Sequence, residues 1–441
     1  MTESQMLPAA LPSSEGWILP SFDIEARRHR RLLIGASLLV LFFVTQEIQL
    51  FTFLAGLQVV KLTGIAVAVL FLSSRKELLD RVRLRDAPQV TMIIGLLLLG
   101  VVTIPFAVWP AVSFQYALGV YAKNVVFVYL LLQIVRSDKD ARTIVAVLSA
   151  GSAILVVPML THFGPWVTYK ADPTRMAVGA TYDANDLALL FVVTIPFSYF
   201  ALRGSRPFVK LMLLGSIALM LAGMVKTGSR GGFVALVAIG IFIFLASSGQ
   251  ARKYTLIAVV SGVALFAMAA PASYWERMDS IYHYENDYNL KEVGGRIMIW
   301  ETGLTMIAQN PIIGVGIGCF PNEHAKLSSI HLQQAAHNAF IQVTSELGVG
   351  GFVLFSGIII VSLRMAYRAR KDARLGRTDP DLLWLASAVQ VSFIGYLAGA
   401  FFLSHAYSGI FSFCVASGAI VTARYKAHRR QLPAPEEIEY A

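Results

Sequence analysis

The sequence predicts an all-α, polytopic integral membrane protein of about twelve transmembrane helices, with one long external loop containing short amphipathic helices. Three observations lead there. Of the residues, 56% are hydrophobic and 15% charged, with a mean hydropathy of +0.63. Apolar runs recur near the ~20-residue length that a bilayer requires. When those runs are threaded alternately through a membrane, 27 of the 37 Lys and Arg residues fall on one side, as the positive-inside rule demands of a cytoplasmic face.

The elements follow in order. A polar stretch leads into Arg27, Arg28, His29, Arg30 and Arg31, then into the apolar run Leu32 to Phe43. A signal peptide also begins basic, but this run continues into Thr45, Gln46 and Glu47 with no small-residue cleavage pattern, so it reads as a retained span. Further spans are expected at 50–72, 89–107, 118–134, 143–160, 187–202, 208–225, 231–247, 254–270, 339–363, 383–403 and 406–422. The chain thus divides into a cytoplasmic tail (1–31), helices one to nine (32–270), an external loop with active-site elements (271–338), helices ten to twelve (339–422) and a second cytoplasmic tail (423–441). The net charge of +10 requires no nucleic-acid partner, because basic loops beside anionic inner-leaflet lipids account for it. Cys319, in the external loop, and Cys414, in the last span, suggest no disulfide framework.

Four external features interrupt the apolar pattern. After span five, Lys170 to Ala188 contains Arg175, a candidate anion contact, and Asn185 and Asp186, either of which can cap a starting helix. Next, Lys226-Thr-Gly-Ser-Arg230-Gly-Gly232 is a turn too short to need two basic residues on the translocated side. Its glycines allow close approach of a ligand or helix. Arg230 stands at a helix N-terminus, where free N–H groups favour an anion and a guanidinium can grip phosphate bidentately. The P-loop pattern is absent, so no nucleotide is expected. Third, Gly294-Gly295-Arg296 leads into Ile297, Trp300, Leu304 and Ile307, an amphipathic surface stripe ended by Asn310-Pro311; Gly314, Gly316 and Gly318 then form a track resembling a lid or re-entrant floor. Arg296 is a second anion contact. Last come His324, His331 and His337-Asn338, with Glu346 two turns deeper among apolar neighbours. An acidic residue at that depth is costly and should face protein, water or substrate. H-E-x-x-H is missing, so no metal is expected.

Together these motifs resemble the O-antigen ligase and polymerase family of bacterial cell-surface glycan enzymes. The likeness rests on Thr227 to Gly232, on Gly295-Arg296 with Trp300 and the Pro311 to Phe320 track, and on His337-Asn338-Ala-Phe340 with Glu346-Leu-Gly348. It covers roughly residues 175–360. The resemblance implies a glycosyltransferase of the bacterial inner membrane, with both termini cytoplasmic and its active site facing the periplasm. It implies a donor glycan on undecaprenyl diphosphate, an acceptor that is either lipid A–core or another lipid-linked glycan, and no cofactor. Arg230 and Arg296 match arginines the family assigns to the diphosphate, and His337 matches its active-site histidine. Arg175, Lys226 and Asn338 join them as diphosphate- or substrate-binding candidates; Asn185, Asp186, Trp300, His331 and Glu346 are supporting ones.

The residues fit this chemistry. Glycosyl transfer needs an activated hydroxyl and stabilisation of the departing diphosphate, for which His337 and the two arginines are suited. His337 can be the base or a phosphate-orienting donor. A polymerase joining lipid-linked repeats is the first alternative. A polysaccharide or lipid transporter is the second, although that reading expects polar groups near the midplane and an internal repeat. A noncatalytic scaffold is the third.

Overall fold

A computed structural model describes residues 20–45, 59–73, 82–161, 167–169, 172–177, 183–247, 249–279 and 295–431. The fold is a polytopic helical bundle. Helices occupy the expected places: α1 (Pro20–Thr45), α2 (Val59–Ser73), α3 (Pro88–Val102), α4 (Pro110–Ile134), α5 (Asp138–Thr161), α6 (Ala184–Ala201), α7 (Pro207–Thr227), α8 (Arg230–Ala246) and α9 (Gly249–Ala269). After a region of shorter helices come α13 (Ala339–Arg374), α14 (Leu382–Ala400) and α15 (Gly409–Gln431).

The expected count of twelve spans is not met by length and composition. Among the described residues six helices are long and apolar enough to cross a bilayer, namely α4, α5, α6, α7, α13 and α14. Three more apolar helices are shorter, at Lys61–Ser73, Pro88–Val102 and Arg230–Ala246. The shortfall has physical causes. At ~1.5 Å per residue a 15-residue helix is about 22 Å long, short of a ~30 Å hydrocarbon core. The helices α1 and α15 carry basic runs that dilute their hydropathy, and residues 50–58 of the second expected span lie outside the described residues.

The helices α6 and α14 form the centre. Their apolar windows are 78% and 72% buried, against 33% for α7, and α14 packs on α6, α8, α13 and α15. Small side chains let the backbones approach: a Cβ on Gly232 would stand 2.5 Å from that of Ala188 on α6. Hydroxyl pairs join the helices, with Ser149 to Ser198 at 2.7 Å and Ser392 donating to the Val193 carbonyl at 2.8 Å. Such bonds satisfy polar groups that lipid cannot.

Two local features add to the largely helical fold. Val167–Tyr169 and Asp172–Ala177 pair as antiparallel strands before α6. The tenth expected span lies within α13, where Gly348 breaks the helical geometry with φ 62° and ψ −161°. Only glycine tolerates that backbone there, since a Cβ would meet the Ile312 carbonyl oxygen at 2.2 Å.

The region between α9 and α13 holds α10 (Ala272–Asp279), α11 (Arg296–Gln309) and α12 (Phe320–Leu327); residues 280–294 lie outside the described residues. The glycine track between α11 and α12 is a floor clamped on two sides. Val315 and Gly316 donate to the Ser345 and Glu346 carbonyls at 2.8 and 3.0 Å, and Val108 donates to the Val315 carbonyl at 3.0 Å.

Candidate functional site

Both predicted arginines are the first residues of their helices. Arg230 opens α8 behind Ser229, and Arg296 opens α11 behind Gly295. Each therefore sits where main-chain N–H groups lack helical acceptors and the helix dipole favours negative charge. Ser229 caps α8 by accepting from Gly232 N–H at 3.1 Å, while its own hydroxyl donates to the Asn185 Oδ1 at 2.8 Å. Gly228, left-handed at φ 56°, turns the chain from α7 into that cap.

Asn185 ties the first two motifs together. Its Oδ1 also accepts from Arg175 Nη2 at 3.1 Å, and Arg175 Nε donates to the Thr227 carbonyl at 3.2 Å. Asn185 is thus an acceptor for the site, and neither it nor Asp186 is the N-cap of α6. That residue is Asp183, which accepts from the Asn185 and Asp186 amides at 2.6 and 2.8 Å, while Asp186 returns a bond to Asp183 N–H at 3.2 Å. This reciprocal box starts the helix one turn earlier than the apolar run indicates. Burial, and then the neighbouring Asp186, raise the Asp183 carboxyl above its usual range; Arg175 opposes them.

These elements border a narrow cleft lined in part by Asn185, Ser229, Gly231, Arg296 and Phe402. The Arg296 guanidinium lies over the Phe402 ring at 5.6 Å, and Trp300, one turn on, meets Phe401 edge to face at 6.1 Å. Lys226, in the last turn of α7, is half-buried.

His337 precedes α13 with φ 47°, and its amide donates to Ser404 Oγ at 2.8 Å. Burial, then the positive charge of Arg296, push its imidazole down to about 4; Asp186 pulls the other way. Arg296 and Asp186 thus act on His337 with opposite sign, and the depressed value favours its neutral form near pH 7. Asn338 is the N-cap of α13, accepting from the Phe340 and Ile341 amides at 2.9 and 3.1 Å.

The remaining candidates have positions of their own. Glu346 accepts from the Phe320 amide at 3.2 Å and holds Gly316 through its carbonyl, so it pins the floor. His331 is exposed, bonded to the Ala325 carbonyl at 3.1 Å, and His324 is buried against Gln334 at 3.2 Å. Among the described residues no three His, Cys, Asp or Glu side chains group as metal ligands would. Cys319 and Cys414 are free and buried.

The comparisons with known proteins bear on this arrangement. Residues 215–356 match the O-antigen ligase family. That ligase-family segment contains Arg230, Arg296, His337, Asn338 and Glu346, whereas Asn185 and Ser404 reach the site from outside it. The chain is also similar to an uncharacterized protein of Haemophilus influenzae, 25% identical over 224 residues, which covers 46% of this chain and 55% of that protein. The chain therefore spans about half the length of the curated relative it matches.

Sequence reasoning missed the connection between α14 and α15. Residues 401–408 supply Phe401, Phe402, Ser404 and His405, all in contact with site residues or their supports. The available signal was Ser404-His405, a polar pair between two apolar runs.

Proposed function

We propose that this chain is a membrane glycosyltransferase of the O-antigen ligase type, acting at the external face of the bacterial inner membrane on a glycan carried by undecaprenyl diphosphate. In this reading both termini are cytoplasmic, beside the basic loops. The observation that carries it is the cleft where Arg296 meets the Ser229-capped start of α8, with Arg175 tied in through Asn185. Two helix N-termini and their arginines suit a diphosphate.

The reaction follows from that placement. An acceptor hydroxyl oxygen attacks the anomeric carbon as the bond to the diphosphate oxygen breaks, which inverts the anomeric centre. The electron pair leaves on diphosphate, where Arg230 and Arg296 stabilise it. The hydroxyl proton passes to His337, directly or through water. Burial is the larger cause of the low value, so an anionic donor, by offsetting the Arg296 charge, raises the base only part of the way from about 4.

Deletion of the gene followed by analysis of lipid-linked intermediates tests this reading. Full-length polymer stranded on the carrier is the outcome expected of a ligase passing glycan to lipid A–core. Single repeat units would assign the polymerase reaction instead, and an unchanged glycan profile would contradict both. Restoration by wild-type chain but not by Arg296→Ala would tie the activity to the cleft.

A further inference from the structure

His405 lies in the connection that sequence reasoning passed over, yet it is held from four directions. Its Nε2 meets Asp186 Oδ1 at 2.7 Å, with both side chains largely shielded. Its carbonyl accepts from Tyr396 Oη at 2.9 Å and Ser408 Oγ at 3.1 Å. On either side, Ser404 accepts from the His337 amide at 2.8 Å, and the Ala406 amide donates to Gln342 Oε1 at 3.3 Å. One residue further, Asn124 of α4 donates to the Tyr407 carbonyl at 2.7 Å. A connection fixed to α4, α13 and α14 can hold a side chain against α6 with little freedom, which is what a support for a binding site requires.

Asp186 is the relevant recipient. It closes the capping box with Asp183, so its orientation sets the first turn of α6. That turn carries Asn185, whose single oxygen receives both Ser229 and Arg175. The same carboxylate acts electrostatically on His337. A displaced Asp186 would therefore disturb the cap of α8, the aim of Arg175 and the surroundings of His337 together.

We propose that His405 is a positioning residue for the anion site: by gripping Asp186 it fixes the Asn185 junction on which Ser229 and Arg175 depend. The proposal rests on the diphosphate reading above and extends it to residues outside the ligase-family segment. In this role His405 acts through Asp186 and not on the donor itself.

The test is binding of undecaprenyl diphosphate, without glycan, to the full-length protein in lipid nanodiscs, together with the split of KM and kcat in transfer. His405→Ala should weaken binding about tenfold, the scale of one displaced charge-assisted contact, and raise the donor KM more than it lowers kcat. His405→Gln places an amide N–H near the lost Nε2 and should recover most of the affinity. Asp186→Asn retains shape while removing the charge that His405 grips, and should weaken binding even if His405→Ala fails to fold. In a double-mutant cycle the two losses should be far from additive. Wild-type affinity in a well-folded His405→Ala or in Asp186→Asn overturns the proposal, as does full additivity. Arg296→Ala separates the two levels. If it loses binding while the His405 and Asp186 variants keep it, only the positioning role fails; if Arg296→Ala itself binds normally, the diphosphate reading falls and the positioning role with it.

Discussion

The two ends of the bundle use arginine in opposite ways. At the end where α5 and α14 begin and α6 finishes, Arg142 bonds Asp138 at 2.6 Å, reaches the Ala201 and Arg203 carbonyls at 2.9 and 2.6 Å, and lies over the Trp384 ring at 4.5 Å; Trp384 in turn donates to Asp138. Arg424 meets Asp379 and Arg430 meets Asp86 in the same manner. At the opposite end Arg175 is aimed by an amide oxygen and a main-chain carbonyl, and Arg296 by an aromatic face. A carboxylate partner neutralises a guanidinium and locks helices together, whereas an amide oxygen, a main-chain carbonyl or a ring face orients it. The first end is built for cohesion; in the diphosphate reading proposed above, the second serves an anion.

The sharpest way to break this contrast is at the reacting group. His337→Ala should lower transfer by about 10²–10⁴-fold if the imidazole moves the acceptor proton, with membrane insertion unchanged; turnover of purified protein measures it. Next in size, Arg296→Ala or Arg230→Ala should cost on the order of 1.5–3 kcal/mol in use of the donor, read as a drop in kcat/KM.

Arg296 also offers a test in pH. Because His337 is held down to about 4, the free enzyme should keep its base active through neutral pH and lose kcat/KM only as pH falls toward that value. Removing the Arg296 cation should move that acid limb upward, toward the ordinary 6.5. The stability effect has a matching sign. A histidine depressed in the folded state binds fewer protons than in the unfolded one between about 4 and 6.5, so its contribution is complete above 6.5 and is lost as pH falls through that window. A limb unmoved in Arg296→Ala would detach the two residues.

Smaller effects sharpen the comparison. Arg142→Ala should cost about 1–3 kcal/mol of stability by leaving the shielded Asp138 without its cation, seen as earlier thermal unfolding in detergent, while the donor KM stays put. Asn185→Ala should do the reverse, raising the donor KM severalfold through loss of about one hydrogen bond each to Ser229 and Arg175, with a modest change in unfolding.

The helical, membrane-crossing character was legible because apolar run length and basic loops report directly on lipid contact. The positions of Arg230 and Arg296 at helix starts, and of His337 just before one, were legible because glycine turns and apolar runs mark them locally. What escaped was set by contacts distant in sequence. The cap at Asp183 depends on a box closed by Asp186 rather than on where the apolar run begins. The break at Gly348 arises because the floor at Pro311 and Ile312 presses on it, and the role of Asn185 appears only once α6, α8 and the hairpin meet. The span count was overestimated because apolar runs such as 231–247 are long enough in composition but yield helices short of a full bilayer.

The most direct test of the central claim is transfer from a purified undecaprenyl-diphosphate glycan by protein reconstituted in liposomes, comparing wild type with the Arg230→Ala/Arg296→Ala double variant. Robust product from the wild type, with donor binding and transfer both lost in the folded double variant, is the predicted result. Undiminished donor binding and transfer by the double variant would contradict the account.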